Sequence, residues 1–501
     1  MTESTHPEVR GEPRLLIDGK LVEASGGGSF ANIDPATEEI LGHTADATPA
    51  DMETAIAAAR RAFDETSWST DHAFRRRCLE QLHSALESHK EELRQVVVAE
   101  AGSPIALTYA IQVDMPIDDV PYWAELAASY QYDQPMPERP VFGQRTRRMV
   151  LREATGVVGA ITPWNFPLFL NMAKLSPALA AGNTVVLKPA PDTPWSATLL
   201  GRLIAEETDI PQGVVNVVAS EDHMVGEVLT TDPRVDMITF TGSTATGRRI
   251  MAKAADTVKK VFLELGGKSA KIVLDDVEDL GAAAGGGSFA VCVHAGQGCA
   301  ITTRLLLPRS RYEEGVELAA ATMAGMTFGD PWDASNLMGP LVSAKQRDRV
   351  LGYIEKGKAE ARLVVGGSAP SDRKGYFVQP TLFADVDPKA VIAQEEIFGP
   401  VLSIIAYEDE DDAVRIANDS IYGLSGDVTS ASEERALRVA RRIRTGTMSI
   451  NGGVYISPDV PFGGYRQSGI GREHGREGFE EYLETKTVAI PAESGAPKLL
   501  G

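Results

Sequence analysis

From residue 155 onward the chain alternates short apolar runs with amphipathic helical stretches. That alternation restricts its fold more than any other feature. GVVGAITP (156–163), TVVLKP (184–189), GVVNVV (213–218), VDMITFTGS (235–243) and KVFLEL (260–265) read as buried strands, with helical spacing over 168–181, 195–207, 222–230 and 245–255 between them. Repeated strand–helix–strand units imply a parallel sheet covered on both faces, and such sheets bind ligands beyond the carboxyl ends of their strands. A second α/β set follows. KSAKIVLDD (268–276) and RLLLP (304–308) read as strands with a helix at about 278–295 between them, followed by helices near 310–325 and 343–361 and strands near 376–383 and 400–406.

At 501 residues the chain exceeds one ordinary core, in keeping with two such sheets. Ahead of the first set, RLLIDGKLVE (14–23) alternates around Asp18-Gly19, a two-residue hairpin signal. Helical spacing covers 51–66 and 71–101, where Phe74, Cys78, Leu82, Leu86, Leu93 and Val97 share a face, so Cys78 reads as core. The proline-rich QYDQPMPERPV (131–141) reads as a connector. RTRRMVLREATG (145–156) reads as a protruding strand, and YLETKTVAI (482–490) as a strand that pairs with it or with a partner chain. The acidic run EDEDDAV (408–414) reads as a solvated helix start.

Composition excludes several classes. Apolar residues make up 43% and charged residues 24%, the balance of a globular chain. A formal net charge of −21 repels nucleic acid and anionic membrane surfaces, so neither is an expected partner. Three cysteines, Cys78, Cys292 and Cys299, build no disulfide framework and no zinc-type pair, so no metal is expected. The polar start MTESTHPEVRGEP lacks a signal-peptide core, and no apolar run is long enough to span a bilayer; the expected location is cytoplasmic.

Five segments carry candidate chemistry. Cys299, in HAGQGCAITTR, is flanked by small residues that leave its sulfur and backbone N–H open; it reads as a nucleophile or, in isolation, as a buried free cysteine, the reading given to Cys292. Glu264 ends an apolar strand and precedes two glycines; it reads as a general base with a raised pKa, or as the partner of Lys268 in a salt bridge. Asn165, in ITPWNFP, could donate to an oxyanion or simply shape a turn. GSTATG (242–247) joins a strand to a helix and could present amides to a pyrophosphate, although it matches neither GxGxxG nor a Walker loop. Lys188 ends another strand and could reach ribose hydroxyls or remain a surface lysine.

Together the segments resemble the aldehyde dehydrogenase superfamily. TPWNFP (162–167), LKPAP (187–191), FTGS (240–243), LELGGK (263–268), GQGC (296–299), EEIFGPV (395–401) and PFGGYRQSGIGRE (461–473) stand in that family's order over almost the whole chain, with Cys299 35 positions after Glu264. The resemblance implies that Cys299 attacks an aldehyde to give a thiohemiacetal, that Asn165 and the Cys299 amide hold the oxyanion, and that Glu264 activates water to hydrolyse the resulting thioester. It places Lys174 and Glu473 in proton relay. It places Lys188 and Glu396 on the two riboses, and Trp164, Gly242, Ser243 and Phe398 against the dinucleotide. It further implies a Rossmann-like cofactor domain (10–135 and 155–266), a catalytic α/β domain (267–466) and a small bridging β-sheet (136–154 with 482–492) that pairs subunits into homodimers or homotetramers.

Two departures bear on specificity. Pro191 stands where NAD-preferring members often carry a glutamate, so NAD⁺ is expected to be preferred with measurable NADP⁺ use. Ala173 replaces a large aromatic common in the family; with Phe166, Leu170, Ile301, Tyr455, Ile456 and Phe462 expected to line the tunnel, the expected substrate is a medium or bulky hydrophobic aldehyde. His294 replaces a frequent asparagine and reads as a packed core residue. The competing readings are a coenzyme A-acylating dehydrogenase, against which Glu264 argues, a cofactor-independent esterase, which leaves Lys188 and Glu396 without purpose, and a non-catalytic scaffold.

Overall fold

A computed structural model describes residues 6–142 and 144–491. Two large sheets organise it. In the first, the strands run Gly469–Ile470, Lys260–Glu264, Met237–Thr241, Val157–Ile161, Thr184–Lys188, Val215–Val217, Leu15–Ile17 and Lys20–Val22. The five central strands are parallel and almost wholly buried, as continuous apolar runs under two helical layers should be. The Asp18-Gly19 hairpin joins one edge, and Gly469–Ile470 closes the other antiparallel to Leu263–Glu264. The second sheet runs Arg362–Val365, Thr381–Ala384, Val401–Tyr407, Thr302–Pro308, Ser269–Val273, Gly426–Thr429 and Ser449–Ile450. A third sheet of three strands pairs Leu483–Pro491 with Gln144–Ala154, and that strand with Asp133–Val141.

Helices cover the first sheet with clear local logic. Pro49–Glu65 starts at Thr48, whose side chain accepts from the Asp51 amide while the Asp51 carboxylate returns to the Thr48 amide. Pro167–Ala181 is buried along its whole length, consistent with its near absence of polar residues; Lys174 is its one charged side chain. Cys78 is fully buried, as its helical position implies.

The structure differs from the sequence reading in three places. The stretch 131–141 is a strand, not a connector; Pro135, Pro137 and Pro140 are tolerated because Asp133–Val141 is an edge strand, where a missing N–H costs no ladder bond. The stretch 71–101 breaks into His72–Ser88 and Lys90–Ala101 at His89, whose ring nitrogens bond Glu92 and Glu207. The strand expected over 376–383 is confined to Thr381–Ala384.

Candidate active site

The carboxyl ends of the first sheet's strands converge on the second sheet. Lys188, Thr241 and Glu264 are the last residues of three parallel strands of that sheet, with Thr241 and Glu264 paired in register. A cavity of about 480 Å³ opens there, lined by Trp164, Asn165, Gly242, Ser243, Glu396, Phe398 and Cys299. Residues singled out from four separate stretches of sequence thus meet around one space.

Cys299 is half-buried and lies beyond the helix Leu280–Cys292. The turn between them is conformationally unusual: His294, Ala295 and Gly296 all have positive φ, costly for the first two. Contacts on every side hold it. Gln297 donates to the His294 and Pro340 carbonyls and accepts from the Val342 amide. His294, buried as expected, bonds the Asn165 carbonyl at 2.7 Å through Nε2, and burial lowers its pKa to about 4, so the ring is neutral. Asn165 Nδ2 donates to the Gln297 carbonyl at 2.9 Å, which fixes the amide beside the nucleophile loop and leaves its second N–H available. Gly267 is required at the other side, since a Cβ there would lie 2.5 Å from the Cys299 carbonyl oxygen.

Both Glu264 carboxylate oxygens are buried without a hydrogen-bond partner, and so is Lys268 Nζ; no ion pair joins the two. The carboxylate packs against Gly463, where a Cβ would approach Oε1 to 2.7 Å, and this accounts for a glycine in PFGGYR. Burial, and then the charge of Glu473, raises the Glu264 pKa well above the usual carboxylate range, while Lys174 and Arg472 oppose the shift. Lys174 and Glu473 form a buried ion pair, with Lys174 Nζ also 4.4 Å from the centre of the Phe262 ring. The Cys299 thiol is likewise raised, first by burial and then by Glu264, Glu396 and Glu473; its own backbone N–H pulls the other way. Burial thus disfavours the charged forms of both the thiol and the acid.

The groove around these groups has the features a dinucleotide requires. Ser243 caps the helix Thr244–Ala254, accepting from the Thr246 amide, so the helix N-terminus faces the cavity with Gly242 beside it. Glu396 accepts from the Gly267 amide at 2.9 Å, and burial raises its pKa to about 6. Phe398, at φ +61°, meets Trp164 edge to face with ring centres 5.3 Å apart. Lys188 lines a second cavity of about 270 Å³ with His223, Glu227, Arg249 and Lys253, and burial lowers its pKa to about 8.

The expected substrate-tunnel residues are more dispersed. Phe166 and Ile301 both approach Gly298, and Phe166 packs on His294 with ring centres 5.2 Å apart. Tyr455 stacks on Phe462 at 6.4 Å. Ile301 and Tyr455, however, line a cavity of about 720 Å³ on the other side of the nucleophile loop, whereas Ala173 lines a small cavity with His474. Leu170 is buried and Ile456 half-buried. The sequence reading missed Asp192, Lys345, Gln346 and Arg349, which also line the 480 Å³ cavity. Gln346 donates to the Phe398 carbonyl at 2.7 Å and Arg349 to the Glu396 carbonyl at 2.6 Å, so the helix Ala344–Glu360 holds the EEIFGPV loop in place. Their only sequence signal was polar residues on one face at the start of a helix.

The model of the aldehyde dehydrogenase family matches residues 21–488. A 3-succinoylsemialdehyde-pyridine dehydrogenase from Pseudomonas sp is 43% identical over 96% of this chain and 99% of its own. Geranial dehydrogenase from Castellaniella defragrans is 43% identical over 91% of this chain and 94% of its own. Among solved structures, betaine aldehyde dehydrogenase from Staphylococcus aureus in complex with NAD⁺ superposes with a TM-score of 0.93 at 35% identity, covering 98% of this chain and 97% of that one. A mutant of the indole-3-acetaldehyde dehydrogenase of P. syringae, in complex with NAD⁺ and IAA, gives 0.92 at 35% identity over 96% and 97%. The chain belongs to the aldehyde dehydrogenase family.

Proposed function

We propose that this protein oxidises an aldehyde with an apolar body to the carboxylate, using NAD⁺, through a covalent intermediate on Cys299. The observation that carries the reading is that Cys299, Asn165, Glu396, Phe398 and the Ser243 helix end all border one cavity at the strand ends. Trp164, Phe398 and Glu396 would hold the nicotinamide end, Ser243 and Gly242 the pyrophosphate, and Lys188 the adenosine ribose. NAD⁺, when bound, supplies the hydride acceptor and a positive charge near the thiol.

The chain's own groups then act in order. Cys299 loses its proton to solvent and its sulfur attacks the aldehyde carbon, and the oxyanion accepts hydrogen bonds from Asn165 Nδ2 and the Cys299 amide. After oxidation a thioester remains on Cys299. Glu264 takes a proton from water, the hydroxide adds to the thioester, and the carboxylate leaves as the sulfur is restored. The Lys174–Glu473 pair would pass the proton onward. The relatives named above for semialdehyde, terpenoid and indolic aldehydes support a broad aldehyde pocket, and no lysine or arginine stands at the expected tunnel positions. Faster oxidation of succinic semialdehyde or betaine aldehyde than of every apolar-bodied aldehyde would contradict that substrate class.

One variant tests both reaction and carrier. Cys299→Ala should lose turnover by more than roughly a thousandfold, on the order expected for removal of a covalent nucleophile, while still binding NAD⁺ in a fluorescence titration. NAD⁺ should bind more tightly than NADP⁺, because Arg249 and Lys253 are both engaged by Glu227. Retained turnover would remove Cys299 from its role, and NADP⁺ binding tenfold tighter than NAD⁺ would reverse the cofactor assignment.

A further inference from the structure

Two buried side chains with no chemical role of their own hold the Asn165 peptide. His294 Nε2 donates to the Asn165 carbonyl at 2.7 Å, and Gln112 Nε2 donates to the same oxygen at 3.1 Å. The two nitrogens lie 3.4 Å apart, side by side on their shared acceptor. Gln112 is fully buried, and His294 and Asn165 are 1% and 4% exposed. A carbonyl oxygen can only accept, so Nε2 carries the one proton of the neutral imidazole. His294 Nδ1 is left with a lone pair and no partner, and Gln112 Oε1 has none either. Unpaired buried acceptors are costly, yet both residues direct their donors at this one backbone oxygen.

The backbone around both is irregular. His294 has φ 51°, and Ala110, two residues before Gln112, leaves the helical region at φ −140° and ψ −119°. Such conformations persist where the surroundings over-determine them. Around His294 the contacts close a ring across two loops. Its imidazole bonds the Asn165 carbonyl, Asn165 Nδ2 donates to the Gln297 carbonyl at 2.9 Å, and the Gln297 amide donates to the His294 carbonyl at 3.1 Å. One Nδ2 hydrogen is thus taken by the residue two before Cys299. The direction of the other depends on where the Asn165 amide plane is held.

We infer that His294, assisted by Gln112, is a positioning residue for the oxyanion: through the Asn165 carbonyl it sets the direction of the second Nδ2–H relative to Cys299. An oxyanion donor is effective when it is fixed before charge develops, because no reorganisation is then needed during the reaction. The inference rests on the aldehyde-oxidising reading above.

The test separates attack that forms an oxyanion from attack that does not. Addition of the Cys299 sulfur to an aldehyde creates one; displacement of iodide from iodoacetamide by the same sulfur creates none. His294→Phe keeps a ring of similar size without the donor, and His294→Gln restores an N–H donor. His294→Phe should lose about tenfold or more in kcat/KM for an aldehyde, towards the roughly hundredfold cost of a lost oxyanion donor, while iodoacetamide labels Cys299 within about twofold of the wild-type rate. NAD⁺ should bind as tightly as before in a fluorescence titration. His294→Gln should recover most of the loss. Added to Asn165→Ala, His294→Phe should cost no more than about twofold further, because its effect passes through the side chain already removed. If the phenylalanine variant does not fold, Gln112→Met, which removes the second donor to the same oxygen, is compared in the same way. Wild-type protein that oxidises no aldehyde overturns the dehydrogenase reading and this one together. Where the wild type does oxidise aldehydes, an unchanged kcat/KM without the donor, a matching fall in the labelling rate, or a loss that adds in full to that of Asn165→Ala each overturns the positioning role and leaves the dehydrogenase reading standing.

Discussion

At the residue scale, the site is governed by how two carboxylates and one ammonium share a dry space. Burial, and then the charge of Glu473, raises the Glu264 pKa, and Lys174 counteracts both. A general base must be ionised to act, so hydrolysis of the thioester should rise with pH through a pKa above the usual carboxylate range. Glu473→Gln removes a charge that raises this pKa and leaves the Lys174 ammonium without its carboxylate partner. Both changes favour ionised Glu264, so the alkaline-rising limb of kcat should move to lower pH in this variant. A pH–rate profile with the limb unmoved, or moved upward, would mean that Glu473 does not act on Glu264 electrostatically. The roles proposed for Cys299 and Glu264 were legible as candidates because each breaks a local rule: a glutamate ends an apolar strand, and a cysteine stands among glycines. The seven ordered motifs then tipped each toward chemistry. Gln346 and Arg349 were not legible, because they act by hydrogen-bonding the backbone of a loop some fifty residues downstream, and backbone partners leave no trace in the type of either residue.

At the scale of elements, the motifs mark junctions. LELGGK is where the last parallel strand of the first sheet passes into the second, and its neighbour PFGGYRQSGIGRE returns to the same strand: Gly469–Ile470 pairs with Leu263–Glu264, and Ser468 Oγ donates to the Gly266 carbonyl at 2.6 Å. Gly267 lies close against the nucleophile loop. Gly267→Ala would place a methyl 2.5 Å from the Cys299 carbonyl oxygen and 3.3 Å from Leu424 Cβ, and the first of these neighbours is backbone. The loop must shift, and displacement of about 1 Å at a reacting centre can cost on the order of a hundredfold. The variant is expected to lose tenfold or more in kcat/KM while remaining folded by circular dichroism; unchanged kinetics would show that the loop position is not critical. The strand–helix alternation after residue 155 was readable because buried parallel strands are continuous apolar runs. The edge strand Asp133–Val141 was not, since its prolines carry the signature of a connector and only its place at a sheet edge makes them harmless.

For the whole molecule, the division into two α/β sheets and a three-stranded extension follows the pattern expected of the sequence, with the extension assembled from segments more than 300 residues apart. Its edge strand Asp133–Val141 and the Ser449–Ile450 edge of the second sheet are each paired with a neighbouring strand on one side only. We propose that these edges are covered by a second copy of the chain, giving a homodimer or homotetramer. Sedimentation should return two or four times the chain mass; a monomer at micromolar concentration would contradict this.

The central claim is a thioester on one named sulfur, and it can be weighed directly. Glu264→Gln should complete hydride transfer once and then stall, giving a burst of NADH followed by near-arrest. If the reaction is quenched at the plateau and the peptides are weighed, Cys299 should carry the acyl group in proportion to the NADH formed, with Cys78 and Cys292 unmodified. NADH formed with Cys299 unmodified, or with the acyl group on either other cysteine, would contradict the account.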